Sequence, residues 1–567
     1  MSLLACLAAA PALPQTASEL VAPTFAPELR PLAGALVFTG DPGLGAPPGA
    51  EALSIRIGAV EIEGGFPEMA AADQATIARL TTDRIPASEI FEAAQELEAA
   101  YAQAGFVLAR VVLPAQELRD GGRLRLTVVD GFVERIDTDA VPAPVRARIE
   151  QVVTPVAGRP GLRLEQIERA LLLAGDTFGV SLESALARGD VPGATQLVLD
   201  AQFRPVTGFV GFDRGVSDQL GNWTLEAGVE ANALLGQGET LYFRFAGAPG
   251  GGLLGSSPRL RTLAAGAVLP IGTDGLTVNL EGVQSRTSPR PDEDADATSS
   301  RFDRLSLRVA YPWVRTRNRT VSTRLVFDAL SDSQDSLVAG GALPRHRDRL
   351  RVIRLGGNVV QRTGAGGVLE LDALASVGID ALGARSLGDA TPEVPLSRDG
   401  AEPGFAKLAL SAELSQPLGE HLVGVFSARG QTAFGRPLLK SEQIGLSGAG
   451  LLSGVEPGAL LGDSGWLLRG ELRMPRELTL RDAPLRVTPY VFAATGSAYL
   501  HRASEFERSR VRGNAAGLGV EMVSLPGATF SSATLRMELA RGSWDDALLT
   551  EGRRSGTRFG LGGTLRF

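Results

Sequence analysis

Cysteine and histidine are nearly absent from this 567-residue chain. It has one cysteine, Cys6, and three widely separated histidines, His346, His421 and His501. A single cysteine excludes an internal disulfide framework and argues against a cysteine-rich metal site. The scattered histidines likewise argue against a histidine-rich metal centre. The sequence therefore predicts no metal ion and no other cofactor.

Long apolar runs and an excess of positive charge are also missing. No run of 18 or more apolar residues occurs, so the sequence predicts no transmembrane helix, although the alternating strands of a membrane barrel would escape such a test. The net charge of −8 and the pI of about 5.3 argue against nucleic acid as a partner. The length predicts several domains.

The first 52 residues show little regular pattern. Residues 1–15 form a short apolar run that ends in small residues, as in a truncated secretory signal peptide. Residues 16–52 are rich in Pro, Gly and Ala and are interpreted as a linker, with a short helix around residues 17–21 as a candidate plug.

Two similar α/β units follow, over residues 53–132 and 133–203. For the first unit, apolar spacing predicts strands at 55–62, 106–113 and 123–129 and helices at 70–80 and 87–104. For the second unit, it predicts strands at 133–136, 180–187 and 195–201 and helices at 144–153 and 164–173. The shared order β-α-α-β-β is an internal repeat of architecture.

From residue 204 to residue 567, apolar and polar residues alternate in many short segments. Leu241 and Phe243, for example, flank Tyr242. A soluble β-sandwich would alternate too, but the charge on many polar-face positions suits the wet lumen of a membrane barrel. The predicted fold class is mainly β: a C-terminal transmembrane antiparallel β-barrel of about 16 strands, preceded by the two small α/β units. Residues 287–300 and 383–404 are the expected extracellular loops.

The predicted last strand ends on an aromatic residue. Phe559, Leu561, Leu565 and Phe567 lie on one face of this strand. The ending resembles the signal by which bacterial outer-membrane barrels are recognised for insertion, and an ordinary last strand is the alternative. The resemblance implies the outer membrane of a Gram-negative bacterium, with its lipid and its barrel assembly machinery as partners.

Short sequence motifs recur in a fixed order through the two α/β units. In the first unit they are Tyr101, Gly105-Phe106-Val107, Arg110, Leu113-Pro114, Gln116, Asp120-Gly121 and Val129-Asp130-Gly131. In the second unit they cover residues 174–182 and 193–200. In order and spacing these motifs resemble POTRA domains, and in particular those of the haemolysin secretion/activation family, the transporters of two-partner secretion. That family usually has Pro at the position of Phe178.

The resemblance implies a function in export. A monomeric barrel would pass a large exoprotein with an N-terminal secretion domain, such as a haemolysin or adhesin, from the periplasm to the cell surface. The POTRA domains would dock it by β-augmentation in the periplasm. The candidate docking residues are Tyr101, Gly105, Phe106, Arg110, Gln116 and Gly131. An outer-membrane assembly factor of the same superfamily, a passive porin, and a soluble adhesin or enzyme are the alternatives.

Two short words resemble catalytic motifs. Gly462-Asp463-Ser464-Gly465 is similar to the nucleophile region of a serine protease, but Trp466 stands where that word has another glycine. A serine nucleophile also needs a histidine base held by a carboxylate. His346-Arg347-Asp348 is similar to a kinase catalytic loop, but the later Asn and a phosphate-binding loop are missing. The sequence therefore predicts that the protein is not an enzyme.

A glycine-rich, nearly uncharged stretch at residues 441–465 is interpreted as a loop that folds back into the barrel. In the family, such a loop places the arginine of a V-R-G-[YF] word near the aspartate of an F-x-D-x-G word on a neighbouring strand. The corresponding positions here are Leu452, Ser453, Gly454 and Val455 for the first word and Phe492, Ala494 and Gly496 for the second.

Ser453 and Ala494 thus stand where the family's ion pair would be. Replacing both partners of a shielded pair can be nearly neutral, whereas removing one leaves an uncompensated charge. Glycine packing and the apolar Leu451, Leu452 and Val455 are expected to hold the loop in place of that pair.

Overall fold

The computed structural model contains two α/β units followed by a closed barrel. It describes residues 15–22, 25, 37–38, 45–250, 252–291, 297–338, 341–480, 483–525, 530–548 and 552–567. The expected signal-peptide remnant lies almost wholly outside the described residues.

The first α/β unit has a three-stranded sheet covered by two helices. Its elements are β1 Ile57–Glu63, α1 Ala70–Leu80, α2 Ala87–Gln103, β2 Arg110–Val112 and β3 Gly122–Val129. The central β3 pairs in parallel with β1 and antiparallel with β2. Buried Leu97 of α2 packs against Leu124 and Leu126 of β3. The strand expected at 106–113 is shorter, because residues 106–109 form a turn in which Ala109 N donates to Phe106 O (3.1 Å).

The second α/β unit repeats this plan. Its elements are β4 Phe132–Ala140, α3 Ala143–Val153, α4 Leu164–Gly175, β5 Val180–Arg188 and β6 Ala194–Phe203. The sheet order is β5-β6-β4, and the short strand Val37–Phe38 pairs in parallel with the outer edge of β5. Leu164 N donates to Gly105 O (2.8 Å), so the start of α4 is hydrogen-bonded to the turn that ends α2.

Sixteen antiparallel strands close the barrel. They are β7 Val206–Asp213, β8 Thr224–Asn232, β9 Thr240–Gly247, β10 Leu260–Ile271, β11 Leu276–Thr287, β12 Ala297–Arg315, β13 Arg319–Val338, β14 Gly341–Arg362, β15 Val368–Gly378, β16 Ala406–Gly419, β17 Leu422–Thr432, β18 Ser464–Arg473 with its continuation Arg476–Leu480, β19 Ala483–Tyr499, β20 Arg510–Ser524, β21 Ser532–Asp545 and β22 Arg553–Arg566. Residues 209–213 of β7 pair with 562–566 of β22, which closes the barrel. The predicted fold class and strand number are confirmed.

Large apolar side chains cover the outer face of the wall. Those more than 40% exposed include Val229, Leu241, Phe243, Leu280, Leu305, Leu307, Leu325, Ile353, Leu355, Leu410, Phe426, Val491, Leu518 and Leu539. An apolar belt of this extent marks a lipid-facing surface. Among the described residues, no helix is both long and apolar enough to cross a membrane.

The second α/β unit contacts one end of the barrel. Arg315, at the end of β12, forms an ion pair with Asp176 after α4 (2.8 Å). Arg148 Nη1 donates to Gly272 O (2.6 Å), and Arg169 Nη2 donates to Asp274 O (3.0 Å). We call the end of the barrel that the second α/β unit contacts the near end, and the opposite end the far end.

Three neighbouring strands are much longer than a membrane requires. β12, β13 and β14 have 19, 20 and 22 residues, whereas about 9–11 residues span a bilayer as a barrel strand. In the far half of β14, arginines alternate with buried residues. Arg347, Arg349 and Arg351 lie on one face of the strand. The buried His346, Asp348 and Leu350 lie on the other face. The wall therefore rises beyond the apolar belt at the far end.

Candidate functional site: the filled barrel lumen

Residues 433–463, which we call the inserted loop, fold back into the lumen from the far end. Four apolar side chains of this loop are fully or almost fully buried: Leu446, Leu452, Val455 and Leu460. They pack on inward-facing wall residues, which include Phe492, Ala494, Ala515 and Trp544. The loop was expected over residues 441–465; it starts earlier and ends sooner because β17 ends at Thr432 and β18 begins at Ser464.

Backbone contact between two glycines brings the inserted loop against the wall. A Cβ on Gly454 would lie 2.4 Å from Gly542 N, and one on Gly542 would lie 2.5 Å from Gly454 C. Neither position has room for a side chain. This contact explains why glycine is needed at both places.

Arg469 of β18 contacts both places where this chain differs from the family motifs, the loop at Ser453 and the strand at Phe492. Its Nη1 donates to Ser453 Oγ (3.0 Å) and to Leu451 O (3.0 Å). Arg469 lies directly opposite Ala494 in the β18–β19 register, and its guanidinium stands 3.6 Å from the centre of the Phe492 ring. Gly496 lies one inward position further along β19, opposite Leu467. A positive charge thus reaches the loop from the wall.

Carboxylates on the wall balance the charge of Arg469, which is only 2% exposed. Its Nε pairs with Glu471 (2.6 Å) and its Nη2 with Glu538 (2.9 Å). Glu538 also accepts from Tyr490 Oη (2.8 Å) and Arg536 Nη2 (2.9 Å). Sequence reasoning missed this network, although Arg469 and Glu471 share the inward face of an alternating strand and so indicate a charged lumen.

A second ion cluster holds the start of the inserted loop. Glu442, 1% exposed, pairs with Arg354 of β14 (2.6 Å) and Lys407 of β16 (2.8 Å). Burial disfavours the charged carboxylate, but Arg354 and Lys407 outweigh it and lower the pKa of Glu442 to about 2. Arg354 also pairs with Asp328 of β13 (2.6 Å). The loop is therefore bound to two strands, β14 and β16, through a charge that the sequence pattern did not single out, and Asp328 of β13 supports Arg354 from the wall.

Ser464 and His501 do come together, with 3.0 Å between Ser464 Oγ and His501 Nε2. Asp463, however, does not orient the imidazole: its carboxylate accepts the main-chain N–H of His501 (2.7 Å) and that of Leu438 (2.9 Å). Ser464 Oγ in turn accepts from Ala433 N (3.0 Å). These contacts fasten the two ends of the inserted loop, and they lack the carboxylate–imidazole pairing of a catalytic triad.

The described part of the N-terminal segment also lies in the lumen. Ser217 N donates to Gln15 Oε1 (3.0 Å), and Ala17 N donates to Ser300 Oγ (2.9 Å). A short 3-10 helix, Ser18–Leu20, lies where a short helix was expected and contacts the 3-10 helix Lys440–Glu442 of the inserted loop. Two separate pieces of the chain thus fill the lumen together.

Three of the six candidate docking residues are buried inside the first α/β unit. Tyr101 is 0% exposed, and its hydroxyl donates to Asp73 (3.1 Å) and accepts from Phe66 N (3.2 Å). Burial raises the pKa of Tyr101 to about 12. Phe106 stacks on Phe66 with 4.5 Å between ring centres. A Cβ on Gly131 would lie 1.9 Å from Leu108 O.

The other three candidate docking residues shape the same unit. Gly105 has a φ of +98°, which favours glycine at the end of α2. Gln116 Nε2 donates to Arg125 O (2.7 Å), and Arg125 N donates to Gln116 Oε1 (2.9 Å). Arg110 Nη1 donates to Ala109 O (3.1 Å). These side-chain contacts are internal to the unit, whereas Gly105 O accepts from Leu164 N of the second unit. A docking role for the six residues stays a prediction.

The four residues of the proposed insertion signal face outward on β22. Phe559, Leu565 and Phe567 are each more than 40% exposed, and Leu561 is half-buried. Phe567 N also donates to Gly208 O (3.0 Å), so the chain end takes part in barrel closure. Their role in insertion stays a prediction.

A closed sixteen-stranded barrel with a filled lumen and two POTRA-like units at one end defines the class of POTRA–barrel transporters. The family model "Haemolysin secretion/activation protein ShlB/FhaC/HecB" matches residues 193–520, which is more than half of the chain, and "POTRA domain, ShlB-type" matches residues 56–131. The chain belongs to the haemolysin secretion/activation family. The predicted family is thereby confirmed, and with it two-partner secretion through a barrel pore.

Two solved structures share this fold. CdiB from Escherichia coli is 20% identical, with 94% of each chain covered and a TM-score of 0.68. CdiB from Acinetobacter baumannii is 13% identical, with 95% of each chain covered and a TM-score of 0.61. No curated protein matches the sequence.

Proposed function

We propose that this transporter lies in the outer membrane of a Gram-negative bacterium and exports one exoprotein, haemolysin- or adhesin-like, that carries an N-terminal secretion domain. The near end faces the periplasm and the far end faces the cell exterior. The barrel acts as a monomer, inserted by the barrel assembly machinery. Export involves no enzymatic reaction by the transporter.

The filled lumen is the observation that carries this proposal. A barrel of sixteen strands is wide enough for an aqueous channel when its interior is empty. Polar contacts such as those of Gln15 and Ala17 hold the N-terminal segment in the lumen, together with apolar packing of Leu20 and contact between the rings of Phe25 and Tyr242. Hydrogen bonds of this kind exchange readily with water, because each contributes only about 0.5–1.5 kcal/mol net. Export therefore begins when the N-terminal segment leaves the lumen and the inserted loop moves aside.

Docking of the exoprotein uses a strand edge of the first POTRA domain. Its sheet order leaves β1 and β2 as edge strands among the described residues. An extended segment can add to such an edge through main-chain hydrogen bonds. On the second domain the edge of β5 already carries Val37–Phe38, so β4 is its one open edge among the described residues, against two on the first domain.

A disulfide between the N-terminal segment and the wall tests the role of the filled lumen. Ala17 N and Ser300 Oγ lie 2.9 Å apart, so Ala17→Cys with Ser300→Cys, in a Cys6→Ser background, brings two thiols close together. The oxidised double variant is expected to lose secretion of the partner exoprotein into the medium and to regain it with reductant. Each single-cysteine variant serves as a control. Normal secretion by the oxidised variant would refute the requirement for release.

Deletion of the POTRA pair tests docking separately. Removing residues 55–200 is expected to leave an inserted, heat-modifiable barrel that no longer secretes the exoprotein. Secretion that persists in this variant would show that docking lies elsewhere.

A further inference from the structure

Two carboxylates and one imidazole lie close together on the inner wall of the barrel near the far end. Asp332 lies on β13, and His346 and Asp348 lie on β14. Asp332 is directly opposite Asp348 in the strand register, and His346 is opposite Gln334. One ligand atom from each of the three residues lies within 4.8 Å of the others. Like charges directly opposite each other destabilise a strand pair, so this arrangement calls for a balancing positive charge.

The three side chains are buried, and most of their polar atoms lack a partner. Asp332 is 1% exposed, and His346 and Asp348 are each 2% exposed. Among the described residues, no hydrogen-bond partner reaches either oxygen of Asp332, Nε2 of His346 or Oδ2 of Asp348. The distance from His346 Nε2 to Asp332 Oδ1 is 3.9 Å, too long for a hydrogen bond. Buried polar atoms are normally satisfied, so these four atoms indicate a ligand between them.

Surrounding contacts hold the cluster in position beside a cavity of the lumen. The second oxygen of Asp348 accepts from Ser397 N (2.9 Å), which ties the cluster to the loop between β15 and β16. A cavity of about 660 Å³ is lined by Gln334 and Ser397, the neighbours of His346 and Asp348. Glu19 and Lys440 line the same cavity. The cavity of the lumen therefore extends to residues that adjoin the cluster.

We propose that Asp332, His346 and Asp348 bind a divalent transition-metal ion, with Zn²⁺ as the best fit. Zn²⁺ accepts imidazole nitrogen and carboxylate oxygen at about 2.0–2.2 Å, and three protein ligands with one open position are a common set. Ligand atoms at that distance from a tetrahedral ion lie about 3.3–3.6 Å apart, so side-chain rotations must draw the three groups together by about 1 Å. Ca²⁺ and Mg²⁺ prefer sites made of oxygen alone, which the imidazole excludes.

A bound ion would fasten the far end of the lumen. It would cross-link β13 to β14 and, through Asp348 and Ser397, hold the loop of residues 379–405 over the exit. That loop contributes buried Leu396, Ala401 and Phe405 to the apolar cluster inside the far end. The site is independent of which exoprotein the transporter exports.

Zinc binding by the full-length protein tests this site. The protein is prepared without a polyhistidine tag in the Cys6→Ser background, stripped with EDTA, titrated with Zn²⁺ by calorimetry, and analysed for bound metal after desalting. One Zn²⁺ per chain is expected. His346→Ala and Asp332→Asn are each expected to weaken binding at least tenfold. His421→Ala is the matched control, because His421 is an exposed histidine at the β16–β17 turn, and it should bind as the parent does.

Two further measurements show whether each variant is folded and which side chains bind the zinc. Heat-modifiable migration in gel electrophoresis verifies that each variant forms a closed barrel, and X-ray absorption of the zinc-loaded parent should show one imidazole and carboxylate oxygens. Absence of zinc binding by the parent would overturn the proposal. So would equal binding by a folded His346→Ala variant, or displacement of zinc by equimolar Ca²⁺ or Mg²⁺.

Discussion

At the scale of single residues, Arg469 connects the inserted loop to the barrel wall. It contacts the inserted loop at Leu451 and Ser453 and the wall at Glu471 and Glu538. The resemblance implies an arginine on the loop at this place, whereas in this chain the wall supplies the arginine and the loop supplies the hydroxyl of Ser453.

Replacing Arg469 with Met should destabilise the barrel and loosen the loop. Removing one partner of a buried ion network leaves uncompensated carboxylates, which costs about 3–5 kcal/mol. The temperature at which the barrel loses heat-modifiable migration should fall, and single-channel conductance should rise. Arg473→Met removes a more exposed cation that also pairs with Glu471 and should have a much smaller effect. Equal effects of the two substitutions would contradict the tether.

Restoring the family's charges one at a time should give unequal results. Ala494→Asp places a carboxylate opposite Arg469 and should be tolerated, because the new charge finds a partner. Ser453→Arg places a second cation beside Arg469 and should lower thermal stability. The double variant should recover much of that loss, as a double-mutant cycle on unfolding temperature would reveal. A stable Ser453→Arg variant with an unstable Ala494→Asp variant would reverse this interpretation.

At the scale of elements, the inserted loop is held by three kinds of contact. Apolar side chains such as Leu452 and Val455 are buried, Gly454 touches Gly542, and Glu442 is ion-paired at the start of the loop. The sequence predicted the first two, because glycine density and apolar residues are local signals. It could not predict the third, because Arg354 and Lys407 come from strands far away in the chain and their approach depends on barrel closure.

The charge of Glu442 should hold the loop across the physiological pH range. Its pKa is lowered from an ordinary value of 4.5 to about 2, so the stabilisation is fully present above about pH 4.5 and is lost only as the pH falls through about 2. Conductance should therefore stay constant between pH 8 and pH 5, while Glu442→Gln should raise it throughout. An increase in parent conductance between pH 7 and pH 5 would contradict the assigned anchor.

The boundaries of regular elements were predicted less well than their existence. Alternation indicated strands and the helical spacing indicated both helix pairs, since these signals repeat every few residues. The strand expected at 106–113 proved to be Arg110–Val112, because a turn there satisfies the backbone locally. His346 and Asp348 were noted only as part of a kinase-like word, and Asp332 was not noted, since only the register of β13 against β14 brings the three together.

At the scale of the whole molecule, the second POTRA domain is fixed on the rim of the barrel. The ion pair between Asp176 of the domain and Arg315 of the barrel is largely buried, and the main-chain carbonyls of Gly272 and Asp274 accept hydrogen bonds from two arginines of the domain. Contacts at two separate turns restrict rotation of the domain over the near mouth. A docked exoprotein would consequently meet the lumen from one direction.

A charge exchange should test this attachment. Arg315→Asp should free the second POTRA domain and reduce secretion severalfold, because Asp176 then faces a like charge. Asp176→Arg in the same chain should restore part of the loss. Spin-label distances between α4 and the β14–β15 turn would report the domain's mobility in both variants. A rigid domain in the Arg315→Asp variant would show that the ion pair does not set the orientation.

The unusual height of the wall at β12, β13 and β14 also has a consequence for what passes through it. A strand of 20 residues tilted by about 40° stands roughly 50 Å high, and an extended polypeptide needs about 15 residues to cover that distance. While an exported chain passes through the barrel beside these strands, about 15 of its residues are inside the barrel and cannot contact the segments that are already outside. On the tall side of the rim, the first folding unit of the exported chain can therefore form only after the leading segment has cleared these long strands. On the short side the chain is released earlier, so the uneven rim steers the emerging chain laterally.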